Sequence, residues 1–473
     1  MLEIISGALY FLALLGVPAA PTPEAFEKST VVPRVVCRAD PEETYALYLP
    51  SGYDTARPGP ILYLLDARRR GTLAAERFRA AAEKYGWILA SSNNSESDGP
   101  FAPNFHAMRA MWADTHERFV IDPRRVYMAG FSGTARGACM LAQTADRGQI
   151  AGVFGCAAGF ADNSPPMKDP AFLYFSTVGN RDFNYREMRR LDATLAALGV
   201  PHRLAVFDGA HDWPPSEVCV RAFEWMEAGA MRSGARPRND ALVAEWLASS
   251  LKEAEALETS GKKGEALTRY REIAADFDGL GDPSAARSAV ERLETDGAAR
   301  ELEKQARLEE QEDRTFNELS QKLMADLGSE EPLPAQRVIQ DLRLAQLHRT
   351  AASAQTEAER LSARRLLAAL SVQTSFYLPR QYLERRDTRR AELCTAVALE
   401  VQPDRAGFVL YNYACLQALA GDKKGALVTL RSAVDKGFRD GALMEKDPDL
   451  DNLRGEEGYK RIVEELKKAA AAS

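Results

Sequence analysis

Residues 125–137 read Arg125-Val126-Tyr127-Met128-Ala129-Gly130-Phe131-Ser132-Gly133-Thr134-Ala135-Arg136-Gly137. A short apolar run closing on Gly-Phe-Ser-Gly, with a helical pattern over 134–145 behind it, predicts a strand that turns sharply into a helix with Ser132 on the turn. Small neighbours suit a strained turn, and the N–H of Gly133 becomes a donor toward any oxyanion formed at the serine. The pattern departs from G-x-S-x-G at its last position, where Thr134 stands. A side chain there must pack under the following helix.

Outward from this turn, 31–209 alternates short β-rich runs with amphipathic stretches, the signature of an α/β fold with a mostly parallel sheet. Eight strands are expected at 31–37, 44–49, 61–65, 87–91, 125–130, 152–157, 172–178 and 203–207, with helices at 76–85, 106–119, 134–145, 185–198 and 215–231. Pro214 and Pro215 suit the first turn of the last helix.

After Arg236-Pro237-Arg238 the β-branched runs vanish and an all-helical pattern continues to the end. A chain of 473 residues exceeds the size at which one core stops growing. The expected organisation is a leader at 1–20, an α/β domain at 21–236 and a helical domain at 237–473. Within the helical part, Ala254, Gly261 and Ala266 recur as Ala414, Gly421 and Ala426, with Tyr270 and Leu430 four residues after the last Ala; Ala391, Ala398 and Pro403 form a partial third copy. This spacing resembles the tetratricopeptide repeat, in which small residues let two helices cross closely and Gly makes the turn. Residues 302–327 read as one long charged helix, and 331–385 fit no repeat.

A nucleophilic serine needs a base, and the base needs an acid to hold its tautomer. The chain has five histidines. In the chain order Ser, acid, His, the base follows Ser132, which removes His106 and His116. His348 lies in the helical part, and His202 precedes the last strand, away from the carboxyl ends where sites gather. His211 follows that strand and is the expected base. The acid should leave the preceding strand, where the loop Gly179-Asn180-Arg181-Asp182-Phe183-Asn184-Tyr185 offers Asp182; Asp208 and Asp212 are rivals only by nearness along the chain. The second oxyanion donor is expected in Leu65-Asp66-Ala67-Arg68-Arg69-Arg70-Gly71, at the N–H of Ala67. Asn93, Asn94, Phe131 and Trp213 are candidate pocket residues.

Composition narrows the function classes. A net charge of -7 with 27% charged and 45% apolar residues gives no electrostatic reason to bind nucleic acid. The triplet Arg68-Arg69-Arg70 reads as a solvated surface. Residues 4–17 form an apolar stretch followed by Val17-Pro18-Ala19, which resembles a secretory leader although Glu3 stands where a basic residue is usual. Export to the periplasm or beyond is therefore expected, with no stable membrane span once the leader is removed. The six cysteines show no metal-ligand spacing, so no metal is expected; a Cys37–Cys219 disulfide is conceivable, and buried free thiols are the simpler expectation.

Tyr45-Ala46-Leu47-Tyr48-Leu49-Pro50, Leu62-Tyr63-Leu64-Leu65-Asp66, Gly130-Phe131-Ser132-Gly133 and His211-Asp212-Trp213-Pro214-Pro215 together resemble the α/β-hydrolases grouped with polyhydroxybutyrate depolymerases and feruloyl or acetylxylan esterases, over about residues 31–231. The resemblance implies an α/β-hydrolase fold, here followed by an all-α helical-repeat domain. It also implies an extracytoplasmic carboxylic ester hydrolase with Ser132 as nucleophile, His211 as base and Asp182 as acid, needing no cofactor. About 50 residues separate Ser132 from Asp182, little space for a large lid, so small or exposed esters are the expected substrates. Two alternatives stand beside this: a scaffold whose helical domain grips a protein or peptide partner while the hydrolase half is inactive or auxiliary, and a serine peptidase.

Overall fold

Strands buried on both faces must be apolar at every position, with successive side chains entering opposite halves of the core. The computed structural model, which describes residues 26–97, 99–331 and 333–471, shows this directly. In Gly59–Leu65, Ile61, Tyr63 and Leu65 join one apolar cluster while Leu62 and Leu64 join the other. The expected leader at 1–20 lies outside the described residues.

Eight strands form one sheet: β1 (Val31–Val36), β2 (Thr44–Tyr48), β3 (Gly59–Leu65), β4 (Ile88–Ser92), β5 (Ile121–Phe131), β6 (Gly152–Cys156), β7 (Leu173–Gly179) and β8 (His202–Phe207). Their order is β1-β2-β4-β3-β5-β6-β7-β8. β2 runs antiparallel to β1 and β4, and every other pairing is parallel. The fifth strand starts earlier than expected, Ile121 pairing with Gly59.

Helices cover both faces. Met108, Met111 and Trp112 of α2 (Ala102–Arg118) and Ala138 and Leu141 of α3 (Gly133–Thr144) fill the first cluster. Phe78 of α1 (Gly71–Tyr85) and Phe223 and Met226 of α5 (Ser216–Arg232) fill the second. With α4 (Tyr185–Ala197) between β7 and β8, this is the α/β-hydrolase fold. Cys37 and Cys219 sit in the two different clusters, and all six cysteines are buried free thiols.

The change from mixed to all-helical structure falls near 236, as the composition indicates, but compactness divides the chain elsewhere, into 1–305 and 306–473. The reason is packing. Val243 and Trp246 of α6 (Asp240–Thr259), Leu267 and Tyr270 of α7 (Lys263–Asp276) and Ala286 of α8 (Ser284–Thr295) share one core with Ala228 and Met231 of α5. Polar ties add to it: the Trp246 indole donates to the Tyr85 hydroxyl at 3.2 Å, and Arg203 of β8 pairs with Asp276 of α7 at 2.5 Å.

The long helix expected at 302–327 is α9 (Ala298–Leu327), which contains the division point. Beyond it, the segment without a repeat folds as α10 (Ala335–Asp341), α11 (Leu344–Ser353), α12 (Glu357–Val372), a π turn at Gln373–Tyr377 and α13 (Leu378–Glu384). Then follow α14 (Thr388–Val401), α15 (Ala406–Leu419), α16 (Lys423–Asp435), α17 (Gly441–Lys446) and α18 (Glu457–Ala471). Side-chain caps start several of these, including a Thr356/Glu359 capping box and Asp387, Asp422 and Asp440. Ala414, Ala426 and Leu430 are fully buried in the α15–α16 hairpin, which turns at Gly421 with φ 85°. Ala254 and Ala266 are equally buried in the α6–α7 hairpin, which turns at Gly261 with φ 81°.

Inside the second unit, Glu312 of α9 and Arg365 of α12 form a fully buried ion pair with contacts of 2.5, 2.9 and 3.1 Å. Removing one partner leaves an uncompensated buried charge, whereas replacing both with apolar groups removes the desolvation cost as well. Glu312→Ala should therefore lower stability by about 3–5 kcal/mol in urea unfolding of the full chain. The double replacement Glu312→Leu with Arg365→Met should restore most of that loss.

Candidate active site

β5 ends at Phe131 and α3 begins at Gly133, which leaves Ser132 to make the whole turn. It does so at φ 56°, ψ -128°, a conformation that costs an L-residue about 1–3 kcal/mol and persists only where the surroundings dictate it. They do. The Ser132 N–H continues the sheet ladder to the Cys156 carbonyl at 2.8 Å, and its own carbonyl accepts from Ala135 at 3.0 Å. Gly130 has to be glycine because a Cβ there would lie 2.4 Å from the Thr134 carbonyl oxygen, and one on Gly133 would lie 2.6 Å from the Ser97 Cβ.

The Thr134 side chain is buried at the start of the helix and does more than pack there. Its buried hydroxyl accepts from the Phe131 N–H at 3.1 Å and sends its proton to carbonyls at the strand ends, Leu65 at 2.5 Å and Phe131 at 2.8 Å. The departure from glycine therefore ties the turn to β3.

Asp182 leaves β7 and is fully buried. Both its oxygens face His211 Nδ1, at 2.9 and 3.0 Å, and Oδ1 also accepts from the Asn184 N–H at 2.8 Å. A proton on Nδ1 satisfies the carboxylate and leaves Nε2 to accept from the Ser132 hydroxyl at 3.0 Å. The loops after β7 and β8 hold these two residues together: Asn180 N–H donates to the Phe207 carbonyl, Arg181 N–H to that of Gly209, and Gly209 N–H to Asn180 Oδ1. Gly179 permits the approach, since a Cβ there would stand 2.4 Å from the Ala210 oxygen.

The rivals are engaged elsewhere. Asp208 pairs with Arg181 at 3.0 Å and Asp212 with Arg77 at 3.2 Å. His202, first residue of β8, pairs with Asp192 at 3.2 Å; His106 pairs with Asp40 at 2.6 Å; His116 stacks on Trp112.

The four residues expected to line the pocket fall in different surroundings. Asn93 and Asn94 turn toward the β1–β2 edge: the Asn93 amide donates to the Pro33 carbonyl, and Asn94 bridges the Thr44 N–H and the Glu42 carbonyl. Trp213, 1% exposed, is a support behind the site, stacked on Phe131 at 5.4 Å with its indole N–H on Asp66 at 2.7 Å. Phe131 is buried too, its ring 4.8 Å from the imidazole. The partly exposed ring against His211 belongs to Phe183, at 4.1 Å.

On the oxyanion side, no acceptor among the described residues faces the N–H of Gly133 or of Ala67. Asp66, fully buried beside Ala67, accepts from the N–H groups of Arg68 and Arg70, from the Arg70 guanidinium and from Trp213. Burial pushes its pKa up, but the Arg70 hydrogen bond and charge, the indole and the Arg68 amide outweigh burial and hold it below the ordinary aspartate value. The arginine triplet is thus only partly a solvated surface: Arg70 locks onto Asp66 and Arg69 onto Glu96. An aspartate closing an all-apolar strand is the signal that could have marked Asp66 in advance.

The structure also brings Cys415 to Asp447 and Asp449, with one ligand atom of each within 4.8 Å of the others. There Asp447 already accepts from the Tyr411 hydroxyl at 2.6 Å.

No family model matches the chain, and no curated protein matches it. Among solved structures, an S-formylglutathione hydrolase from Staphylococcus aureus is 16% identical, over 43% of this chain and 99% of its own, with a TM-score of 0.34. A ferulic acid esterase is 17% identical over 42% of this chain and 96% of its own, with a TM-score of 0.35. An esterase from Pyrobaculum calidifontis is 14% identical over 48% and 90%, with a TM-score of 0.34.

A depressed folded-state pKa contributes stability that is present above the unfolded value and lost as pH falls through the folded one. Asp66→Asn should therefore be less stable than the wild type at neutral pH. Thermal unfolding measured from pH 7 downward should show the two converging as the medium passes below the ordinary aspartate range.

Proposed function

We propose that the first unit is a serine hydrolase acting on carboxylic esters, with Ser132 as nucleophile, His211 as general base and acid, and Asp182 as the group that orients and stabilises the imidazole. The observation that carries this is the unbroken line from Asp182 through His211 to the Ser132 hydroxyl, with contacts of 2.9 and 3.0 Å. The strained backbone at Ser132 supports it, because such strain concentrates where function demands it. The choice of esters rests on the motif resemblance set out from the sequence.

In this mechanism Ser132 Oγ attacks the ester carbonyl carbon while its proton moves to His211 Nε2. The oxyanion is held by the N–H groups of Gly133 and Ala67. Collapse of the tetrahedral intermediate breaks the bond to the alcohol, which leaves with the proton from Nε2. Water then attacks the acyl-enzyme, His211 again taking and returning one proton, and the carboxylic acid departs. Asp182 stays ionised throughout and compensates the imidazolium. The short span of about 50 residues from Ser132 to Asp182 leaves little space for a large lid, which suits small or exposed ester groups.

The buried alanines and left-handed glycine turns of the α6–α7 and α15–α16 hairpins support the repeat-like reading of the helical part. Its proposed role is to hold a protein or peptide partner.

With p-nitrophenyl esters of graded chain length, Ser132→Ala and His211→Ala should each cut kcat to below about one ten-thousandth of wild type, and Asp182→Asn by about 10⁴. Circular dichroism should remain unchanged. Undiminished ester hydrolysis by folded Ser132→Ala would sink the proposal; amide cleavage exceeding ester cleavage would move it to the peptidase class.

A further inference from the structure

This inference rests on the proposed oxyanion hole and concerns what aims it. A backbone N–H has no rotamer, so its direction is set by the peptide plane that carries it, and in a trans peptide N–H and C=O point opposite ways. The direction of the Ala67 N–H is therefore readable from whatever holds the Asp66 carbonyl.

β3 lies between β4 and β5, with Leu65 opposite Ser92 on one side and Gly130 on the other. At and just past its end, three successive carbonyls are each taken by a different group. The Leu65 oxygen accepts from the Thr134 hydroxyl at 2.5 Å, on the β5 side. The Asp66 oxygen accepts from the Ser95 hydroxyl at 2.9 Å, on the β4 side. The Ala67 oxygen accepts from the Ser97 N–H at 2.9 Å. With the Asp66 carbonyl turned toward Ser95, the Ala67 N–H faces the other way, to the β5 side, where Ser132 stands.

Both hydroxyls are buried and tightly placed. Ser95 is 0% exposed, and its own N–H is bound to the Ser92 hydroxyl at 3.0 Å. Thr134 is 1% exposed. The segment holding the Ala67 peptide also packs on Gly133, where an added Cβ would lie 2.6 Å from the Ser97 Cβ. Asn104 secures it from behind, accepting from the Glu96 N–H at 2.8 Å and donating to the Glu96 carbonyl at 2.7 Å.

We infer that the buried hydroxyls of Ser95 and Thr134 are positioning residues of the oxyanion hole, holding the two peptides on either side of Asp66 so that the Ala67 N–H points at the developing oxyanion. Neither touches substrate. Thr134 occupies the place of the last glycine in the elbow pattern and supplies a tie that glycine could not.

The test uses the full chain, with kcat and KM for p-nitrophenyl acetate and the inhibition constant of an alkyl trifluoromethyl ketone, whose serine adduct carries the oxyanion. Ser95→Ala and Thr134→Val should each lower kcat about tenfold to a hundredfold, less than the loss of a donor itself, with KM within about twofold. The ketone should weaken by the same factor as kcat/KM. Thr134→Ser, which restores the hydroxyl, should return to near the wild-type value, a rescue that a purely volumetric role would not produce. Activity is normalised to the folded fraction from near-ultraviolet circular dichroism; if Ser95→Ala does not fold, the Thr134 pair decides alone. Wild-type kcat and ketone affinity in folded Ser95→Ala and Thr134→Val overturn the inference and leave the esterase proposal standing. A wild type with no ester hydrolysis above Ser132→Ala refutes the esterase proposal, and this inference with it.

Discussion

The constraint on which the rest of the site depends is the backbone of Ser132, held at φ 56° between a strand and a helix. A turn of that kind is unfavourable by itself and survives because its neighbours leave no alternative. The ladder bond to Cys156 continues the sheet one residue past the end of β5, the absence of a Cβ at Gly130 lets the first turn of α3 fold back, and the Thr134 hydroxyl ties both to β3. The strain is local, while its support comes from three strands. This is how a rigid parallel sheet places a small nucleophile at its carboxyl edge with the hydroxyl facing outward.

The same edge supplies the other groups. Ala67 follows β3, Ser132 follows β5, Asp182 follows β7 and His211 follows β8. Each is set by hydrogen bonds between neighbouring loops. Burial explains why those bonds are so complete: a carboxylate as enclosed as Asp182 or Asp66 is tolerable only with several donors around it. Asp182 has His211 and the Asn184 amide; Asp66 has an arginine, an indole and two backbone amides. The chain's overall negative charge has little bearing on either, because the deciding contacts lie within hydrogen-bond distance.

Much of this was legible in the residues. The short β-rich runs and their spacing placed all eight strands, because burial on both faces leaves an apolar signature that solvent-exposed segments lack. Elimination among five histidines led to His211, and its partner Asp182 followed from strand order. Less legible were the residues whose behaviour depends on a neighbour distant along the chain. Asn93 and Asn94 end β4, as a pocket pair should, yet their amides meet Pro33, Glu42 and Thr44 across the antiparallel edge. Thr134 departs from the motif along the chain, and only its hydroxyl contact with Leu65 gives that departure a reason. The helices from 240 to 295 share a composition with those beyond 306, but their apolar faces pack on α5, so compactness groups them with the sheet.

The sequence by itself determined the alternation of strands and helices, the strand-to-helix turn at Ser132 and the chemical types available to act there, because these follow from periodicity and side-chain identity over short stretches. Only the tertiary structure brought the Asp182 carboxylate to His211, and only it decided which way the Ala67 amide points and which residues merely support. Those outcomes are contacts between residues 29 to 79 positions apart, brought within 3 Å by the order of strands in the sheet. Strand order arises from the packing of whole layers, and no short stretch of residues records it.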